Sequence, residues 1–471
     1  MTAVMRGLCR VAGFAVVLAG LAGPAVAAPA SPPVERYPVP PGGVFTIAGH
    51  GYGHGHGMSQ WGAYGAARRG LSAHQIVRFY YPHTTLQTEP ASRPIRVLLS
   101  AADAPHLGYV QVLPAPDLKL GDGGKRTKLP TQSPKHGYPI TSYRLQLVDT
   151  ALALKERWNG HWHQAATEDT SAVFRAPGGL VTVDQPNGPV SYRGILLVQV
   201  RGGQVELVNQ LPLESYLGGV VPSEMPASWP VAALRAQAIA ARTYAARGMQ
   251  HPKTHWFDVF GDTRDQAYGG ESHEVARATA AVAATAGQIL VDDSDAPVLA
   301  QYSAADGGWT VSGGQPYLPA QKDPYDGVVP NQAHSWTTSR SASTIAAAYP
   351  QIGTLRAILV TARDGNGSWG GRVTELTLRG SAGSTTTSGG QFAAALGLMS
   401  DWFRPTPTPA APRHLTATVH SAGKKHPHRN VTVTWRPSVA TKGAAAVTGY
   451  RVVLTPASGS PQHVSVDAAT A

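Results

Sequence analysis

One carboxylate in this chain sits in an unusually apolar stretch. In the run Val220-Val221-Pro222-Ser223-Glu224-Met225-Pro226, which leads on to Trp229, Glu224 is the only acid. A fold that closed around it would desolvate the anion and raise its pKa, as a general acid requires. A place just before a helix N-terminus would oppose this by favouring the anion, and capping of that helix is an equally good local reading. A second stretch, Gly49 to Ala63, alternates glycine with His50, His54 and His56 before Gln60 and Trp61. Such glycines let backbone approach a ligand, and the imidazoles offer proton transfer or metal ligation. A tight turn with surface histidines is the plainer reading, and zinc would need further ligands from elsewhere. A third region, Asp258 to Gly270, carries Gln266 and Tyr268 before a Gly-Gly pair; Tyr302 to Thr310 repeats that style. Polar and aromatic residues between glycines suit groove-lining loops, and ordinary turn chemistry competes with that.

These residues must be held by elements that the pattern also suggests. Pro230 to Arg247 reads as a helix with an apolar stripe of Val231, Leu234, Ala238 and Ala241, and an Ala-rich helix is expected over about 274–286. Two short helices fall within 44–85, the second opened by a Ser72/Gln75 capping box and closed before Pro82. Between Ile95 and Gln210, runs such as 95–99, 143–147 and 194–200 alternate in the manner of antiparallel strands, whereas 117–140 reads as a long surface loop. The fold class expected is α+β: an antiparallel-strand-rich core with a few helices around a binding groove, then a partial all-β sandwich module.

The chain has 471 residues, 42% hydrophobic and 14% charged, with a formal charge of +11. That composition supports a packed core and excludes a disordered polyampholyte. Residues 1–27 read as a secretory signal peptide: Arg6 and Arg10, a short apolar stretch and an Ala25-Val26-Ala27 cleavage site. The single cysteine, Cys9, lies inside it, so the exported chain would carry no thiolate and about +9 of charge. A Pro-rich leader (28–43) follows, and a Pro/Thr linker (404–412), too rich in proline for helix or sheet, precedes 413–471. There, strand-like runs at 415–419, 431–435, 449–454 and 463–466 resemble part of a fibronectin type III module. No later segment could serve as a transmembrane anchor, and no basic stripe indicates nucleic-acid binding.

Taken together, L-E-S-Y-L-G-G-V-V-P-S-E-M-P (Leu213 to Pro226), A-A-R-T-Y-A (Ala240 to Ala245), D-Q-A-Y-G-G (Asp265 to Gly270), Y-S-A-A-D-G-G-W-T (Tyr302 to Thr310) and the H-G-H-G-M-S-Q-W-G-A segment strongly resemble the SpoIID/LytB family. The resemblance extends over about 44–403, with the His-Gly segment at 44–85 and the core at 90–403. It implies a secreted lytic transglycosylase acting on peptidoglycan glycan strands without a cofactor, with Glu224 and Arg242 as catalytic residues. It further implies that His54, His56, Gln60, Trp61, Gln266, Tyr268 and Tyr302 bind substrate. A non-catalytic amidase enhancer that engages a cell-wall amidase is the alternative. Three departures stand out. The cysteine-containing metal loop of relatives is replaced by Phe260, Arg264 and Asp265, so no zinc is expected there; Ser303 stands where a histidine is common; and the His-Gly segment precedes the core instead of closing it. Residues 50–64 are therefore expected to pack beside Glu224, while Arg242, 18 residues on, would meet Glu224 only if the chain folds back.

Overall fold

A computed structural model describes residues 34–40, 42–88, 91–99, 108–122, 125–407, 413–420, 430–436, 449–454 and 462–467. The signal-peptide reading, the first part of the leader (28–33) and the linker beyond Pro407 lie outside these residues. The architecture is α+β, with seven α-helices among the described residues. They are α1 (Gln60–Arg68), α2 (Ala73–Tyr80), α3 (Leu213–Glu224), α4 (Val231–Gln250), α5 (Ala276–Ala283), α6 (Ala342–Ala348) and α7 (Gly389–Leu396).

Two sheets share one large core. A seven-stranded sheet runs in the order Val259–Phe260, Ile95–Leu99, Gln204–Leu211, Ile195–Arg201, Ser171–Arg175, Lys119–Asp122, Lys125–Lys128. It is antiparallel except for its short first strand. A six-stranded antiparallel sheet contributes Val110, Val112, Tyr143, Leu145, Val181 and Val183 to the same core. The stretch expected to be a loop, 117–140, thus supplies the outer hairpin of the first sheet. Leu118, Leu120 and Leu129 are buried, while exposed Arg126 and Lys128 on the last strand mark an edge that resists further pairing. The few apolar residues there are enough because they alternate.

Helix α4 is the hub. Sequence periodicity suggested one apolar stripe, yet eleven residues are buried, from Ala233 through Ala245, and Val231 is exposed. A helix apolar on most sides belongs in the interior. Here its alanines admit α1, α2, α3 and α5 as close neighbours. Helix α3 contains Gly218, Gly219 and Pro222, poor helix formers. Packing overrides propensity: a Cβ on Gly219 would stand 2.6 Å from the Gly270 carbonyl and 2.8 Å from the Tyr268 ring.

A second core gathers Phe45, Ile47, Ile358, Leu376, Phe392 and Phe403. It forms between a three-stranded sheet (Ser335–Ser341, Val44–His50, Phe403–Pro407) and a four-stranded one (Glu35–Pro38, Leu355–Arg363, Val373–Gly380, Ser384–Thr387). Two sequence expectations change here. Part of the leader, Glu35–Pro38, is a strand paired with Leu355–Arg363 and tied down by Glu35 to Arg363. The linker's first residues are likewise a strand, pairing Arg404, Pro405 and Thr406 with Ala48, Ile47 and Thr46. Prolines at alternate positions all turn their missing N–H to the same side, so an edge strand accepts Pro405 and Pro407. The pairing of 44–50 with 403–407 also joins the two ends of the domain, so the His-Gly segment lies next to the last strand despite its early place in the chain. Beyond it, strands 413–420 and 430–436 form one hairpin and 449–454 and 462–467 another.

Candidate active site at the end of α3

Glu224 is the last residue of α3, and α4 begins only at Val231 with Pro230 as its cap. It therefore does not cap α4. Its position is the reverse of the one expected, because a helix C-terminus carries the negative end of the dipole and disfavours a carboxylate. Burial pushes its pKa above the usual carboxylate range, against the lowering effect of hydrogen bonds from Ala267 N–H, Gln60 and Tyr302. Ala267 N–H donates to Oε1 at 2.6 Å, and Gln60 Nε2 approaches Oε2 at 3.4 Å. No carboxylate is among these partners of Glu224.

Each partner is fixed by a different element. Gln60 opens α1, which Ser59 caps by accepting from Gly62 N–H; Gln60 also reaches Gln237 Oε1 on α4 at 3.5 Å. Tyr302 lies on a two-residue strand, Tyr302–Ser303, parallel to Met58–Ser59. Its hydroxyl accepts from Gln266 Nε2 at 2.9 Å, and Gln266 Oε1 accepts from Tyr216 at 3.2 Å. With that lone pair taken, the phenol's proton is directed at Glu224. The phenol itself is held neutral by burial and by the neighbouring Glu224 charge.

Gln266 is fully buried and Tyr268 nearly so. Tyr268 packs on Tyr216 and Tyr192 and donates to Asn209 Oδ1 at 2.8 Å. Both residues were expected to contact substrate. The structure puts them behind the site instead: Gln266 positions Tyr302, and Tyr268 fills the core.

Arg242 also takes a different place. Its guanidinium, fully buried on α4, holds both oxygens of Glu214 at 2.8 and 2.7 Å and donates to the carbonyls of Ala238, Val282 and Gln288. Every side-chain nitrogen is thereby engaged at the opposite end of α3, away from Glu224. The chain does not fold back to bring the two together.

The histidines separate too. His54 and His56 stack at 5.1 Å, and His54 Nδ1 accepts from His56 N–H. The other His54 nitrogen bonds the Tyr302 carbonyl. Desolvation, His56 and Arg372 hold the His54 pKa down to about 4, and burial lowers that of His56. Both rings are thus neutral, aligned along the rim that Tyr302 links to Glu224. His50 instead packs between Trp369 and Trp402. Among the described residues the three histidines form no three-ligand metal cluster.

Trp61, Tyr64 and Trp229 lie within 4.6–5.7 Å of one another, half-exposed. With Trp61 following Gln60 and Trp229 five residues after Glu224, they give the site an aromatic wall of the kind that stacks on sugar faces. Gln237, a polar residue in the alanine run of α4, was missed from sequence; its interruption of that run was the available signal. Asp306, Asp323 and Asp326, also missed, come together from separated segments.

Known proteins share the central part of this sequence. Residues 201–291 match the family described as SpoIID, stage II sporulation protein. The chain is 31% identical over 201 residues to stage II sporulation protein D of Bacillus subtilis, covering 38% of this chain and 57% of that one. It is 38% identical over 118 residues to the Bacillus subtilis amidase enhancer (23% and 15%) and 32% identical over 133 residues to an uncharacterized protein of Brachyspira hyodysenteriae (28% and 33%). The chain thus spans less than two thirds of the length of each of these relatives. The matched region contains α3, Glu224, α4 and the Gln266 loop, so the likeness to SpoIID falls on the part of the chain that carries the candidate site.

Proposed function

We propose that this chain is a secreted, cell-wall-associated lytic transglycosylase that cleaves the MurNAc-GlcNAc bond of peptidoglycan glycan strands with Glu224 as its single acid/base. The observation that carries this reading is a carboxyl group whose pKa burial raises, held by three hydrogen-bonding partners of which none is a carboxylate. Hydrolytic glycosidases pair two carboxylates. A transglycosylase needs one, because the substrate's own 6-hydroxyl attacks the anomeric carbon and benefits from intramolecular reach. Glu224 gives its proton to the glycosidic oxygen as the C–O bond breaks, then takes the proton of the attacking 6-hydroxyl, so the acid is restored and a 1,6-anhydro-muramyl end is left. The Trp61, Tyr64 and Trp229 wall suits sugar rings, and the exported chain's charge of about +9, the full chain's +11 less Arg6 and Arg10, suits an anionic wall.

The experiment is incubation of the full chain with peptidoglycan, intact and stripped of stem peptides, and analysis for anhydro-muramyl ends. Formation by the native chain and its loss in Glu224→Gln are expected; undiminished formation by the variant would sink the mechanism. A second reading is favoured by the likeness to an amidase enhancer: stimulation of a cell-wall amidase, unaffected by Glu224→Gln and without anhydro ends. The C-terminal hairpins are assigned here to a fibronectin type III-like module that engages the wall or that partner.

A further inference from the structure

Behind the Glu224 wall, three acids meet in the interior. Asp306 and Asp326 are fully buried and Asp323 is 4% exposed, and one carboxylate oxygen of each lies within 4.8 Å of the others. Most of their oxygens have donors. Asp326 accepts from the Ser59 hydroxyl and from His334 Nδ1, each at 2.6 Å. Asp323 accepts from the Tyr80 hydroxyl and from Tyr325 N–H, each at 2.7 Å, and Asp306 Oδ1 accepts from Gly308 N–H at 2.7 Å. Asp306 Oδ2 is different: it is buried, faces the Asp323 carboxyl group, and among the described residues has no N–H, hydroxyl or cationic donor.

An unpartnered carboxylate oxygen with no access to water is costly, and a second carboxylate beside it makes it costlier. Among the described residues His334 is the one ionisable cation bonded to the cluster, and its ion pair is with Asp326. Either a proton shared between Asp306 and Asp323 or a bound cation is therefore required there. The available atoms are all oxygens: three carboxylates, with the hydroxyls of Ser59 and Tyr80 adjoining. Such a set suits hard cations, which take oxygen ligands, and not zinc or copper, which favour imidazole and thiolate.

We infer that Asp306, Asp323 and Asp326 bind one hard divalent cation of the calcium class, which staples the His-Gly segment to the core. Ser59 caps α1, Tyr80 ends α2, Asp306 follows the Tyr302–Ser303 strand, and Asp323 and Asp326 share a later loop. The cation ties these pieces together one residue from Gln60 and four from Tyr302. The inference is independent of the reaction at Glu224, because it concerns occupancy and stability.

The test uses the full chain, equilibrated with calcium, freed of unbound metal and measured by elemental analysis, with thermal melting before and after chelation. About one calcium per chain is expected. Chelation should lower Tm by on the order of 5 °C, and calcium, more than zinc, should restore it. Asp306→Asn should lose both the metal and the response to chelator. An unchanged Tm on chelation, with Asp306→Asn at least as stable as the native chain, would instead mean that Asp306 and Asp323 share a proton, and overturns the site. Stoichiometric zinc in place of calcium overturns the hard-cation assignment. Should Asp306→Asn not fold, metal content and chelation of the native chain decide alone.

Discussion

Helix α3 has a glutamate at each end, and the two live in opposite circumstances. Glu214, in the first turn, benefits from the positive end of the helix dipole, grips Arg242 bidentately and accepts from Gly287 N–H. A cavity of about 510 Å³ opens beside it, lined in part by Arg93, Pro212 and Gly287. Glu224, in the last turn, has the dipole against it, no cation bonded to it, and a pKa raised by burial. That hollow thus adjoins a carboxylate paired with a guanidinium, and the half-exposed aromatic residues adjoin one whose pKa burial raises. Environment, not residue type, separates the ion-paired glutamate from the one proposed as acid/base.

The sharpest way to break this contrast is Glu224→Gln. Loss of a positioned acid/base is expected to lower the rate of anhydro-end formation by about 10²–10⁴-fold. Stability should move the other way. Because the folded pKa is raised, the folded chain holds this proton at pH values where the unfolded chain has released it. Stability attributable to Glu224 is therefore present below the ordinary carboxylate pKa and lost as pH rises through the folded one. Gln cannot ionise, so the variant's Tm at neutral pH should equal or exceed the native value, the difference vanishing in acid. Native activity should fall as pH rises past the raised pKa. A variant that is both inactive and markedly less stable at neutral pH would make Glu224 a structural residue.

At the other end, Arg242→Met should cost about 2–3 kcal/mol, somewhat under the usual penalty for breaking a buried pair because Glu214 remains 42% exposed to water. Carbonyls of Ala238, Val282 and Gln288 also lose a donor. Below its lowered Tm the variant should cleave glycan within a few-fold of the native rate. A hundredfold loss of rate with unchanged Tm would restore Arg242 to the catalytic role that the family resemblance implies.

Smaller again is Tyr302→Phe. It removes the hydroxyl that Gln266 aims at Glu224, so the Glu224 pKa should rise further and the rate fall roughly tenfold, with the pH profile displaced towards higher pH. The displacement is the reading that matters, since loss of mere packing would lower the rate at every pH alike.

What was readable in advance follows from the range of each interaction. The Ser72/Gln75 capping box, the strand at 95–99 and a helix from about Pro230 are local, and all three are present. That Gln60 lies beside Glu224 followed from motifs set against one another, not from spacing. Helix α3 was hidden because Gly218, Gly219 and Pro222 speak against it, and only Gly270 and Tyr268 pressing on Gly219 explain why it forms. The direction of the dipole at Glu224 was consequently misjudged. The aspartate cluster was hidden for a different reason: Asp306 looks like turn chemistry until Asp323 and Asp326 arrive from a separate loop.

Tyr268 tests the smallest difference, between a residue that faces sugar and one that stands behind the site. Its hydroxyl bonds Asn209 Oδ1, whose amide donates to the carbonyls of Arg193 and Ile195, so the group belongs to the junction of α3 with the seven-stranded sheet. Tyr268→Phe keeps the ring against Tyr216 and Tyr192 and removes one buried hydrogen bond, at a cost of about 1 kcal/mol in denaturant unfolding. Turnover and KM for denuded glycan should stay within about twofold of the native values, since a neutral hydroxyl lost from the core changes neither charge nor contact at Glu224. A raised KM with unaltered stability would put Tyr268 back on the substrate side and would mean that the α3 junction opens when glycan binds.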